Sequence, residues 1–155
     1  MRNLHFTLAL CLICAGVPAL GAQDLANASG IPFWADSALR KAGVPGQYNL
    51  SSTVNPAMEF GDFDGDGFLD LAVQIVPAGN RLRGLAIIHR IDRSVHIVGG
   101  GHPLGNGKNE LPPSAGWAVE RRWPYRDVVR VDGWGATHGW IAWNGESYVW
   151  VQDSY

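Results

Sequence analysis

The feature that most restricts this chain is a run of acids and glycines, Gly61-Asp62-Phe63-Asp64-Gly65-Asp66-Gly67-Phe68-Leu69-Asp70, followed at once by Leu71-Ala72-Val73-Gln74-Ile75-Val76. Four carboxylates fall within nine residues and repel one another unless a cation lies between them. Calcium meets that need, because it accepts roughly six to eight oxygen ligands at about 2.3–2.6 Å with tolerant geometry. Gly67, directly after the third aspartate, supplies the sharp backbone turn that lets such a loop wrap an ion. The spacing nominates Asp62, Asp64, Asp66 and Asp70 as side-chain ligands of Ca2+, with the Phe68 carbonyl contributing from the main chain. A solvated acidic turn uses the same residue types. It leaves the spacing, and the strand behind it, without a reason.

An EF-hand is excluded. Its loop ends in a bidentate Glu at the twelfth position and continues into a helix. Counted from Asp62, that position is the apolar Val73, and a short apolar run bounded by Pro77 leaves the loop. Its length and content are those of a buried strand.

The run Gly61–Val73 resembles the motif of FG-GAP/VCBS (integrin-α-type) repeats. The resemblance covers about twenty residues and occurs once. It departs from the family after the strand, where Val76-Pro77-Ala78-Gly79 stands in place of Gly-Ala-Pro. The resemblance implies a calcium loop between strands of a propeller-type blade, but a complete propeller needs about four or more blades. More loosely, the chain is similar to small exported bacterial proteins with one such motif, a Gly-rich middle and a Trp-rich C-terminal hairpin.

The first residues bound the setting. Arg2 precedes an apolar run from about Leu4 to Ala15, with small residues at Ala19, Gly21 and Ala22. That is the layout of a secretory signal peptide, too short to span a membrane. Residues 1–22 are therefore expected to be removed after Ala22, with Gly21 as the alternative, and residues 23–30 to form a flexible leader. The expected location is periplasmic or secreted. Both cysteines, Cys11 and Cys14, lie in the removed segment, so the remaining 155 − 22 = 133 residues hold no disulfide. Residues 31–155 are expected to fold as one domain, large enough for a core without disulfides. The processed charge is 11 − 14 = −3, which argues against a nucleic-acid binder.

Pro32–Ala42 carries Pro at the start, Arg40 and Lys41 at the end and Gly43 beyond, and predicts a short helix. Residues 44–55 read as loop, with one short strand around Tyr48-Asn49-Leu50. Leu69–Val76, Gly84–Ile91 and Val95–Val98 predict an antiparallel meander. A long loop from Gly99 to Ala115 follows. Four further short strands are predicted at 117–120, 127–131, 139–143 and 148–151, the last two joined by the turn pair Asn144-Gly145. The expected fold is mainly β: an antiparallel meander of about seven short strands, resembling partial propeller blades, with one short N-terminal helix.

Other chemistry finds little support. The glycines of the long loop lack a following helix, so they do not form a phosphate cradle. His89 and His96 face each other across a predicted hairpin, but no Cys or His-Glu motif completes a zinc site. They are expected as cross-strand surface histidines. No Gly-x-Ser-x-Gly elbow occurs, and a carboxylate pair such as Glu110 with Glu120 has no local recommendation. No catalytic residue is nominated. Arg121, Arg122, Trp123, Tyr125 and Arg126 form the densest cluster of the residue types that anchor protein interfaces.

The expected function is that of an exported, monomeric, calcium-stabilised β domain binding a protein partner. The looser resemblance implies an inhibitor or immunity protein against a cell-wall-degrading effector. The alternative is a carbohydrate-binding or glycan-degrading envelope protein that uses exposed tryptophans as sugar platforms.

Overall fold

The computed structural model describes residues 30–52, 55–112, 116–122, 126–134 and 137–152. In chain order its elements are helices α1 (Phe33–Lys41) and α2 (Val44–Gln47), then strands β1 (Tyr48–Leu50), β2 (Met58–Gly61), β3 (Asp70–Pro77), β4 (Gly84–Ile88) and β5 (Val95–Gly99). Strands β6 (Trp117–Arg122), β7 (Arg126–Trp134), β8 (Thr137–Trp143) and β9 (Tyr148–Gln152) complete the order. The expected signal peptide and almost all of the expected leader lie outside the described residues, as do Trp123 and Tyr125.

The fold is mainly β, with two antiparallel sheets instead of one continuous meander. The first sheet runs β1-β3-β4-β5, and β2 also pairs with β3. β1 and β2 share one edge of β3: β1 pairs with Ile75–Pro77 and β2 with Asp70–Val73. The second sheet is an up-and-down meander, β6-β7-β8-β9. β2 is the strand that the sequence reading did not anticipate; Met58-Glu59-Phe60-Gly61 is too short to show a period.

The central strand explains why its sequence is apolar without alternation. Leu71, Val73 and Ile75 pack with Ala35, Ala38 and Leu39 of α1. Ala72, Leu85, Ile87 and Val98 face the second sheet, against Trp117, Val129, Val131 and Ile141. A strand covered on both faces is apolar on both. Each fully buried Leu, Ile or Phe in these two layers contributes about 1.5–3 kcal/mol.

Pro32 stands at the N-cap of α1 and has no amide to leave unpaired. Arg40 Nε donates to Asp36 Oδ2 at 2.8 Å across one turn, and Gly43 ends the helix at φ +72°. The β8–β9 connection is longer than a two-residue turn, since Trp143 pairs with Tyr148. Asn144 Oδ1 accepts the Glu146 and Ser147 amides at 2.9 and 2.8 Å. That side chain closes a four-residue loop.

Candidate metal centre

The acidic loop is the connection between β2 and β3, closed by the register pair Gly61–Asp70. Gly65 and Gly67 adopt φ +82° and +89°, a region costly for residues with a Cβ. Gly61 is fixed by space instead: a Cβ there would lie 2.9 Å from Val119 Cγ1 and 3.1 Å from Asp127 Cβ.

Three of the nominated aspartates converge. One oxygen from each of Asp62, Asp64 and Asp66 lies within 4.8 Å of the others. Two oxygens on opposite sides of one calcium ion are about 4.6–5.2 Å apart, given the ordinary bond length. Each aspartate also shapes the loop with one oxygen. Asp62 Oδ2 accepts from the Gly67 amide at 3.2 Å, Asp64 Oδ1 from the Asp66 amide at 3.0 Å, and Asp66 Oδ1 from the Phe68 amide at 2.8 Å. Of the remaining oxygens, Asp62 Oδ1 is cut off from solvent and accepts no hydrogen bond. A buried carboxylate oxygen without a donor is costly. A cation supplies what it lacks, so the residues fit the ion.

Asp70 sits differently. It is fully buried; Oδ2 accepts the Phe63 amide at 3.0 Å and the Asp64 amide at 3.4 Å, while Oδ1 accepts the Arg90 amide at 2.7 Å. It therefore holds both ends of the loop to the turn after β4, and it groups with Asp64 and His89 rather than with Asp62 and Asp66. Burial pushes its pKa up to about 6, against the lowering effect of the Arg90 and Phe63 amides. Burial raises that of Asp64 as well. A bound cation acts in the opposite direction. Phe68, whose carbonyl was nominated, directs an exposed ring outward from the loop.

His89 corrects the surface reading. It is 2 % exposed because it follows directly on the doubly covered β4. Its Nε2 lies 2.7 Å from Tyr148 Oη, and its Nδ1 lies 3.1 Å from Ser94 Oγ and 3.5 Å from Asp64 Oδ2. His96 is half-buried beside it, ring centroids 4.7 Å apart, and Ser94 Oγ also meets His96 Nε2 at 2.9 Å. Trp143 stands edge-on to both imidazoles. Burial drives the Tyr148 hydroxyl well above its ordinary range.

Asp127 is the residue that sequence reasoning missed. Its Oδ2 accepts the Asp62 amide at 2.9 Å, and Arg121 Nε donates to its Oδ1 at 2.9 Å. The Arg121 hydrogen bond holds its pKa below the usual carboxylate range. The available signal was a single acid beside Val128-Val129 in a strand, with Arg126 before it.

Among the nominated partner-contact residues, Arg121 is thus tied to Asp127. The Arg122 guanidinium lies 3.6 Å from the Trp140 ring centroid, and Arg126 Nη1 donates to the Trp143 carbonyl. These arginines are packed along β6 and the start of β7, with Arg121 and Arg122 still exposed. No family model, curated protein or solved structure matches the chain.

Proposed function

We propose that this chain is an exported β domain that takes up Ca2+ at the Asp62–Asp70 loop and binds a protein partner, the ion acting structurally. The observation that carries the reading is the division of labour within the loop. Asp62, Asp64 and Asp66 each give one oxygen to a loop amide, and the buried Asp62 Oδ1 has no donor. A loop already shaped by its own hydrogen bonds in this way needs little reordering to take up an ion.

An ion held there stabilises the folded state by mass action. Through the Asp62–Asp127 contact, and through Asp64–His89 followed by His89–Tyr148, that stabilisation reaches the second sheet. The exposed arginines of β6 are the residues we assign to the partner contact, with Trp123 and Tyr125. An inhibitor or immunity role toward a cell-wall-degrading effector is the partner class that the resemblance implies.

Titration calorimetry with calcium chloride on the metal-stripped protein tests the first half; absence of heat overturns it. Co-purification from envelope extract with and without chelator tests the second. A partner retained in calcium and lost on substitution of Arg121 and Arg122 supports it, and one unaffected by those substitutions removes the assigned surface.

A further inference from the structure

The residue that follows β4 brings an imidazole nitrogen to the acidic loop. His89 Nδ1 lies 3.5 Å from Asp64 Oδ2, and one donor atom each from His89, Asp64 and Asp70 falls within 4.8 Å of the other two. At 3.5 Å the Nδ1–Oδ2 contact is longer than an ordinary N–H···O hydrogen bond. It matches the edge of a zinc tetrahedron, since two ligands about 2.0–2.2 Å from the ion stand about 3.3–3.6 Å apart. Behind the ring, Tyr148 Oη holds Nε2 at 2.7 Å. An outer hydrogen bond of this kind fixes the ring of a metal-bound histidine and decides which nitrogen is left for the ion. His89 and Asp70 are both buried. Among the described residues, neither Asp64 nor Asp70 forms an ion pair with a lysine or arginine.

We propose that Asp64, Asp70 and His89 form a second metal site, for a zinc-type divalent cation, beside the calcium loop. Zinc accepts imidazole and carboxylate together, whereas calcium is served by oxygens. Each residue has a position to give. Asp64 uses Oδ1 for the Asp66 amide and turns Oδ2 toward His89. Asp70 accepts the Phe63, Asp64 and Arg90 amides, which occupy three of about four lone-pair positions on a carboxylate. Ser94 Oγ, 3.1 Å from Nδ1, meets His96 Nε2 more closely at 2.9 Å, so it can release Nδ1 and keep a partner. Three protein ligands leave the fourth position to water. The loop supplies the two acids that no Cys or His motif supplies along the chain. Asp64 belongs to both groups, yet the zinc site stands without the calcium reading, since Asp62 and Asp66 take no part in it.

The test is titration calorimetry with zinc chloride on the metal-stripped protein, in the presence of excess calcium chloride. Uptake of a single equivalent is expected. Asp66→Ala is expected to keep that uptake while losing calcium, which separates the two readings. Tyr148→Phe removes the outer hydroxyl and weakens zinc by about 10–100-fold, and His89→Gln abolishes its binding. The NMR signals of the His89 ring in the parent protein need no variant, and zinc is expected to shift them. Absence of zinc uptake by the parent overturns the proposal, as does undiminished uptake by His89→Gln. Loss of zinc in Asp66→Ala, or its displacement by calcium, places the ion in the calcium loop and the proposal fails. Ring signals that stay unmoved reduce the Asp64–His89 contact to an ion pair and equally sink it.

Discussion

Asp62 and Asp127 exchange hydrogen bonds across the two sheets. The Asp62 amide donates to Asp127 Oδ2 at 2.9 Å, and the Asp127 amide donates to the Asp62 carbonyl at 2.9 Å. The first residue of the acidic loop is thereby fixed to β7, and the loop joins the sheets as well as two strands of one sheet. Asp127→Ala leaves the Asp62 amide without its acceptor and is expected to cost about 1–3 kcal/mol. Urea unfolding measures that loss, and calorimetry should show calcium affinity falling with it. A variant that loses stability but keeps full affinity would mean that the loop holds its shape without β7.

Asp66 is the exposed member of the converging trio, and its Oδ1 caps only the Phe68 amide. Asp66→Ala is therefore expected to leave the metal-free melting temperature nearly unchanged and to remove the rise on adding calcium. At a calcium concentration about 100 times Kd that rise corresponds to about 2.7 kcal/mol. Scanning calorimetry in calcium and in chelator reads both numbers. An undiminished calcium shift would reject Asp66 as a ligand.

The half-buried His96 predicts a pH dependence. Burial, and then the charge of His89, hold its pKa below the ordinary 6.5, with Asp92 opposing. Ser94, Trp143 and Tyr148 complete its surroundings. Below 6.5 the unfolded chain takes up a proton that the folded imidazole resists, so stability falls as the pH drops, until the folded value is passed. His96→Gln is expected to flatten this part of the profile. Chemical unfolding between about pH 5 and 7 isolates it as the difference between parent and variant. Parallel profiles would show that His96 titrates alike in both states.

Gly139 is required by space. A Cβ at that position would fall inside the Trp150 indole, which lies against it. Gly139→Ala is expected to destabilise by about 1–3 kcal/mol through overpacking. Combining it with Trp150→Ala should cost less than the sum of the two single losses. Strict additivity in a denaturation cycle would place the strain elsewhere.

Much of this could be read along the chain because its physical causes are local. The spacing of Asp62, Asp64 and Asp66, the positive φ asked of Gly67, and the apolar run Leu71–Val76 depend on neighbours a few residues apart. The helix from Phe33 and the strand positions after Gly84 follow in the same way from periodicity and end signals. Position separated this loop from an EF-hand, because the twelfth place counted from Asp62 is Val73, which cannot be a bidentate ligand, and an apolar strand follows.

What depends on distant residues was decided only by the tertiary structure. Asp70 lies in the same acidic run as Asp66, yet its strand is covered on both faces. Its oxygens consequently bond the Phe63 and Asp64 amides at the start of the loop and the Arg90 amide. His89 is buried because β4 lies between a helix and a second sheet, a covering that no local pattern announces. Asp127, sixty-five positions from Asp62, became part of the loop when the sheets packed. Short-range turn chemistry wrote the loop into the sequence, and burial assigned its residues their separate tasks.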